Sequence, residues 1–152
     1  MTVLNNIRVL DFGRYIAGPY CAMLLAQLGA EVIRIERPGG GEDRFMVPLS
    51  DAPDADGAMF VQNNGGKKGL TLRLGKPEAS TIIEELVKTA DIVVANLPGS
   101  ILERLGLDYV SLKALKPDII LVANSAFGSE GPWGNKPGFD GIGQTKIGRA
   151  HV

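Results

Sequence analysis

Residues 7–37, IRVLDFGRYIAGPYCAMLLAQLGAEVIRIER, decide the fold. Ile7 to Phe12 is a short, apolar-rich run of the kind that forms a buried first strand, and Gly13 ends it. Pro19 suits the first turn of a helix, where its missing N–H would have no intrahelical acceptor. The largely apolar stretch from Tyr20 then runs as a helix to about Gly29. In AEVIRIER, a second strand, Ile33 and Ile35 share one face while Val32, Arg34 and Glu36 share the other. The isoleucine face is expected to be the buried one.

Working outward, the same alternation continues. KKGLTLRL (67–74) alternates Leu70, Leu72 and Leu74 as a third strand, and KPEASTIIEELVKTA sets Ile82, Ile83, Leu86 and Val87 on one helical stripe. DIVVANL and DIILVANSAF are two further runs of buried-strand type. Between them, GSILERLGL and DYVSLKALKP make short helices with Leu102, Leu105, Leu112 and Leu115 as core candidates. Residues 38–58 are rich in Gly, Pro, Asp and Ser and form a long surface loop, a place where function often resides. Lys136 to Asp140 reads as a turn opening one more helix. Strands alternating with crossover helices give an α/β chain with a Rossmann-like open parallel sheet.

The 152 residues suffice for one domain. Sixteen Lys and Arg against seventeen Asp and Glu leave a formal charge of −1, which argues against a nucleic-acid partner held by bulk positive charge and makes any anion site local. The lone Cys21 excludes an internal disulfide and is expected to be a buried core thiol in a reducing compartment. Neither a signal peptide nor a membrane-length apolar run is visible, so a cytoplasmic location is expected.

Parallel sheets bind ligands beyond the C-terminal ends of their strands. Four such ends stand out: Gly13 to Pro19, Glu36–Arg37, Asn96 to Gly99, and residues 125–140. Gly13 and Gly18 either let helix N–H groups face a phosphate or merely serve the turn and close packing. Arg37 either meets a phosphate by a bidentate contact or ends a strand in solvent. Lys67, Lys68, Arg73, Arg104 and Lys136 are further cations, any of which alone more often faces water. The Asn96 amide either binds a ligand or caps its turn. Asp11, within the first strand, reads as structural. The single histidine, His151, leaves no material for a histidine-based triad or metal centre.

Several stretches together resemble the N-terminal part of the class III CoA-transferases, which include formyl-CoA and carnitine-CoA transferases and the alpha-methylacyl-CoA racemases. They are residues 9–43, VLDFGRYIAGPYCAMLLAQLGAEVIRIERPGGGED; NNGGKKGLTLRL; ADIVVANLPGSILERLGLDYVSLKALKPDIILVANSAFG; and GPWGNKPGFDGIGQ. The resemblance implies the truncated large domain of such an enzyme, with coenzyme A or an acyl-CoA as substrate and no permanently bound cofactor. A carboxylic acid would be the other reactant, with neither nucleic acid nor membrane as a partner, and the complete parent would be an interlocked homodimer.

Carried over by motif, Ile16 and Ala17 would line the thioester end and Arg37 would contact the nucleotide phosphates. Leu72 and Arg73 would border the adenine and pantetheine path. Asn96, Leu97 and Arg104 would complete the nucleotide pocket, with Lys136 and Phe139 closing over the pantetheine. The resemblance places the nucleophile, an aspartate, beyond the end of this chain, so no catalytic residue is expected within it. A racemase is disfavoured because that pattern has a histidine where Phe139 stands, and a phenyl ring cannot shuttle a proton. An NADP-binding oxidoreductase domain is disfavoured by the missing G-x-G-x-x-G fingerprint. A non-catalytic binding module remains a further reading of the chain as it stands. Residues 1–146 are expected to form an incomplete CoA-binding domain. Residues 147–152, IGRAHV, match the translation of a common sequencing adapter and are expected to be non-native read-through.

Overall fold

A computed structural model describes residues 2–46 and 55–146, with the backbone alone at Lys146. The expected read-through tail lies outside the described residues. Five parallel strands form one sheet: β1 (Arg8–Asp11), β2 (Glu31–Glu36), β3 (Lys68–Thr71), β4 (Ile92–Ala95) and β5 (Ile120–Ala123). Their order is β3-β2-β1-β4-β5, the doubly wound Rossmann-like arrangement in which the chain starts at the centre and builds outward in both directions. In register, Val9 pairs with Val32 on one side and Ile92 on the other.

Because β1 and β4 have neighbours on both edges and helices on both faces, successive side chains are buried alternately above and below. Val9, Leu10, Val93 and Val94 are all 0% exposed. Helix α1 (Ala17–Gln27) covers one face, packing Ala22 with Val9, Val32 and Val94. The opposite face, with Leu10, Ile35 and Val93, is covered by α3 (Pro77–Lys88), α4 (Gly99–Leu105) and α5 (Tyr109–Leu115) through Ile83, Val87, Leu102 and Leu112. Each fully buried aliphatic side chain contributes about 1.5–3 kcal/mol relative to exposure. Two glycines supply backbone that other residues resist: Gly29 (φ 103°) turns the chain out of α1 into β2, and Gly106 (φ 67°) ends α4.

The structure corrects several expectations. In β2 the isoleucine face is not uniquely buried: Arg34 and Glu36 are 3% and 7% exposed, because charged partners reach them beneath the loops. Strand β5 is not buried on both faces. It is an edge strand, and Ile120 is 56% exposed. On α3 the inward stripe is Ala79, Ile83 and Val87, leaving Ile82 exposed. Leu105 and Leu115 pack only partly buried against the core, and Cys21 is partly rather than fully buried. The long loop contains a 3-10 turn, Glu42–Phe45, and is followed by an unforeseen helix α2 (Ala58–Asn64). Helix α6 (Asp140–Lys146) begins where the Lys136–Asp140 turn places it.

Candidate functional site

The order of strands reverses between β1 and β4, so the loops leaving their C-terminal ends diverge and open a crevice there. The turn from β1 to α1 is held tightly. Asp11 Oδ1 accepts the Gly13 N–H at 2.8 Å, and the Asn96 amide binds both backbone groups of Arg14, accepting at 2.6 Å and donating at 2.7 Å. Tyr15 sits at φ 59° and Ile16 starts α1 without a side-chain cap. A Cβ on Gly13 would lie 2.6 Å from Pro19 Cδ, and one on Gly18 would lie 2.8 Å from the Gly13 Cα. Both glycines therefore serve close packing of the turn.

Beneath the turn lies a buried cluster of charges. The Lys67 ammonium, 2% exposed, donates to Asp11 Oδ2 at 2.7 Å, the Pro19 carbonyl at 2.8 Å and Asn64 Oδ1 at 2.8 Å. Arg34 donates to Asp43 at 2.8 Å and to the Gly13 carbonyl and Asn64 at 3.2 Å. Burial pushes the Lys67 ammonium below its ordinary range, opposed by the adjoining Asp11 carboxylate. Sequence reasoning left Lys67 as a solvent-facing cation and did not name the rest of the cluster beyond Asp11. A legible signal existed: a charged residue inside a strand covered on both faces must have a buried partner.

A second cluster organises the loop after β2. Both Glu36 oxygens are occupied by Arg44 and the Gly41 N–H, Arg44 also holds Asp56, and its guanidinium lies 3.9 Å from the Phe60 ring centroid. Burial works to raise the Glu36 pKa, but these hydrogen bonds and the neighbouring arginine charges outweigh it and hold the carboxyl below its ordinary range. Glu36 thus uses its carboxylate to hold the loop after its own strand, whereas an acidic residue at this position of dinucleotide-binding sheets binds a ribose hydroxyl.

Between the β1 and β2 loops lies a cleft of about 190 Å³, smaller than the roughly 300–1,000 Å³ of most enclosed ligand pockets. A large ligand would extend beyond it. Arg14, Arg37 and Arg73 stand around the cleft, with Glu42 between the first two, 3.9 Å from Arg14 and 3.2 Å from Arg37. Arg34 and Glu36 also line the cleft but are engaged by Asp43 and Arg44, and the excess of guanidinium groups that remains, Arg14, Arg37 and Arg73 against Glu42, suits an anion carrying several charges.

Of the residues expected at a site, Arg37, Arg73 and Leu97 come together in this cleft. Ile16 and Ala17 are exposed at the start of α1. Leu72 is half-buried, with its N–H bonded to the Glu36 carbonyl at 2.8 Å. Asn96 serves the turn through its amide, and Arg104 is exposed on the last turn of α4, outside the cleft lining. Phe139 meets Tyr15 edge-on at 5.5 Å, which brings the 125–140 segment beside the β1–α1 turn, while Lys136 lies 4.4 Å over Trp133. Arg14 and Glu42 were missed because their roles depend on how loops fold. Among the described residues, no group of three or more His, Cys, Asp or Glu side chains is placed to hold a metal ion, and no helix is long and apolar enough to cross a membrane.

Comparison with known proteins places these features in context. The family model for CoA-transferase family III matches residues 4–152. The chain is 36% identical to a succinate–glutarate CoA-transferase of Agrobacterium fabrum, over 95% of this chain and 38% of that protein. It is 34% identical to a formyl-CoA:oxalate CoA-transferase of Afipia carboxidovorans, over 97% of this chain and 34% of that one. The crystal structure of a CAIB/BAIF family protein from Brucella suis superposes with a TM-score of 0.88 at 34% identity, covering 97% of this chain and 40% of its own. The chain thus spans between a third and two fifths of the length of these relatives.

Proposed function

The chain belongs to CoA-transferase family III, and from that premise we propose that it is the coenzyme A-binding part of an enzyme that moves coenzyme A between an acyl-CoA and a carboxylic acid. The observation that carries this reading is the cleft at the ends of β1 and β2, where Arg14, Arg37 and Arg73 stand around Glu42 while the other charged lining residues, Arg34 and Glu36, are engaged by Asp43 and Arg44. Coenzyme A brings several phosphate charges, and the planar donor fork of arginine suits them. In this reading Arg37 and Arg73 meet the nucleotide end and Leu97 forms its apolar wall. Ile16, Ala17 and Phe139, around the β1–α1 turn, face the pantetheine and thioester. Asn96 contributes by shaping that turn.

The acyl-carrying nucleophile of this reading is an aspartate of the complete enzyme that lies outside this chain. A carboxylate becomes an effective nucleophile when it is positioned against the thioester in a site with little water, and the residues here supply the positioning. Residues 1–146 would be the coenzyme-binding unit and 147–152 a non-native tail. The complete enzyme would work in the cytoplasm as an interlocked homodimer without a permanently bound cofactor. The chain alone is expected to transfer no coenzyme A between acids.

Calorimetric titration of the chain with coenzyme A, dephospho-coenzyme A and NADPH tests the binding reading. Coenzyme A should bind at least about tenfold more tightly than NADPH, a difference of about 1.4 kcal/mol. Equal or tighter binding of NADPH would overturn it in favour of a dinucleotide site.

A further inference from the structure

We propose that Lys67 is a positioning residue of this site, fixing the Gly13–Pro19 turn in the shape that the coenzyme meets without touching the coenzyme itself. The inference rests on the coenzyme-binding reading above for its functional consequence, but its geometry stands alone. An ammonium has three N–H donors, and each of the three from Lys67 reaches a different part of the fold: Asp11 at the end of β1, the Pro19 carbonyl in the first turn of α1, and Asn64 at the end of α2. Through Asp11 Oδ1 the grip passes to the Gly13 N–H, and Arg34, in the same cluster, holds the Gly13 carbonyl. Lys67, entering from the segment before β3, thus holds the turn directly at Pro19 and, through Asp11, at Gly13.

A purely stabilising role explains less. Four charged side chains, Asp11, Arg34, Asp43 and Lys67, are each no more than 3% exposed, and replacing such buried ion groups by apolar residues is often neutral or favourable for stability. Arg34 Nε and Asp43 Oδ1 even lack hydrogen-bond partners among the described residues, an arrangement poorly suited to stability alone. What the cluster secures is the backbone of a turn that carries Arg14, Tyr15 and Ile16 to the cleft and its surroundings.

Two variants of the 152-residue chain test this: Lys67→Met, and Asp11→Asn combined with Lys67→Met, which leaves no uncompensated buried carboxylate if the single variant fails to fold. Amide exchange by NMR and calorimetric affinity for coenzyme A are measured on folded protein. The turn amides of Gly13 to Gly18 should exchange about tenfold faster than in the wild type while those of Val93 and Val94 are little changed, and coenzyme A should bind about tenfold more weakly, the scale of one lost charge-assisted contact. A folded variant with unaltered turn exchange, or one that binds coenzyme A as the wild type does, overturns the proposal. If the wild type itself does not bind coenzyme A, the functional reading fails, and the exchange comparison alone decides whether Lys67 fixes the turn.

Discussion

Asn96, one residue past β4, binds the N–H of Arg14 at 2.6 Å and its carbonyl at 2.7 Å, so a single amide ties the loop after one central strand to the turn after the other. Asn96→Asp replaces the donor with an acceptor facing the Arg14 carbonyl. We expect a stability loss of about 1–3 kcal/mol at neutral pH, read from urea unfolding, together with weaker coenzyme A binding by the molecules that remain folded.

Arg37→Ala and Arg73→Ala should each weaken coenzyme A binding by about 1–3 kcal/mol, the range for a lost charge-assisted hydrogen bond. Arg104→Ala should cost less, because that side chain lies outside the cleft lining. Dephospho-coenzyme A should narrow the difference from wild type for whichever arginine meets the 3′-phosphate. Full affinity in both cleft variants, measured by calorimetry, would remove the phosphate role assigned to the cleft.

Glu36 gives the fold a defined acid sensitivity. Its folded-state pKa lies below the ordinary value of 4.5, so its contribution is fully present above that value and disappears as pH falls through the lowered one, where the unfolded chain takes up the proton first. Unfolding free energies between pH 7 and pH 3 should therefore decline more steeply for the wild type than for Glu36→Gln. Parallel curves would show that Glu36 does not couple folding to protonation.

Asp108 caps α5 by accepting the Ser111 N–H at 3.1 Å, and the Ser111 hydroxyl also donates to it. Removing the cap in Asp108→Ala should cost about 1 kcal/mol, seen as a lower denaturation midpoint with an unchanged slope. The loss should be transmitted to the core because α5 buries Leu112 completely.

The order of elements was legible because the sequence punctuates it: Gly13 ends β1, Pro19 marks the first turn of α1 and Gly29 turns the chain into β2. Burial within the strands was less legible. The alternation in β2 assigns Arg34 and Glu36 to solvent, whereas Asp43, Asn64 and Arg44 arrive from later segments to meet them. The apolar run of β5 resembles that of β4, but only its place at the sheet edge reveals that Ile120 is exposed. Arg37 and Arg73 were identified as cations and share the cleft with Arg14, whose position depends on the left-handed Tyr15 and the Asn96 clamp.

Strand β1 precedes β2 and β3 in the chain yet acquires its second neighbour, β4, only after both. Arg8, at its start, hydrogen-bonds to Asp91, 83 positions further along, and β4 follows immediately. Until that segment has left the ribosome, the nascent β1–β2 pair keeps one edge of backbone donors and acceptors open, with Val9 and Leu10 lacking β4 beside them. Closing so long a loop adds only modestly to the entropy cost, but the non-local pairing delays assembly of the centre. The emergence of residues 92–95 is therefore the step at which a growing chain becomes able to close the open edge of β1, with β5 still to be added beyond β4, and slowing translation before that point would lengthen the exposure of that edge.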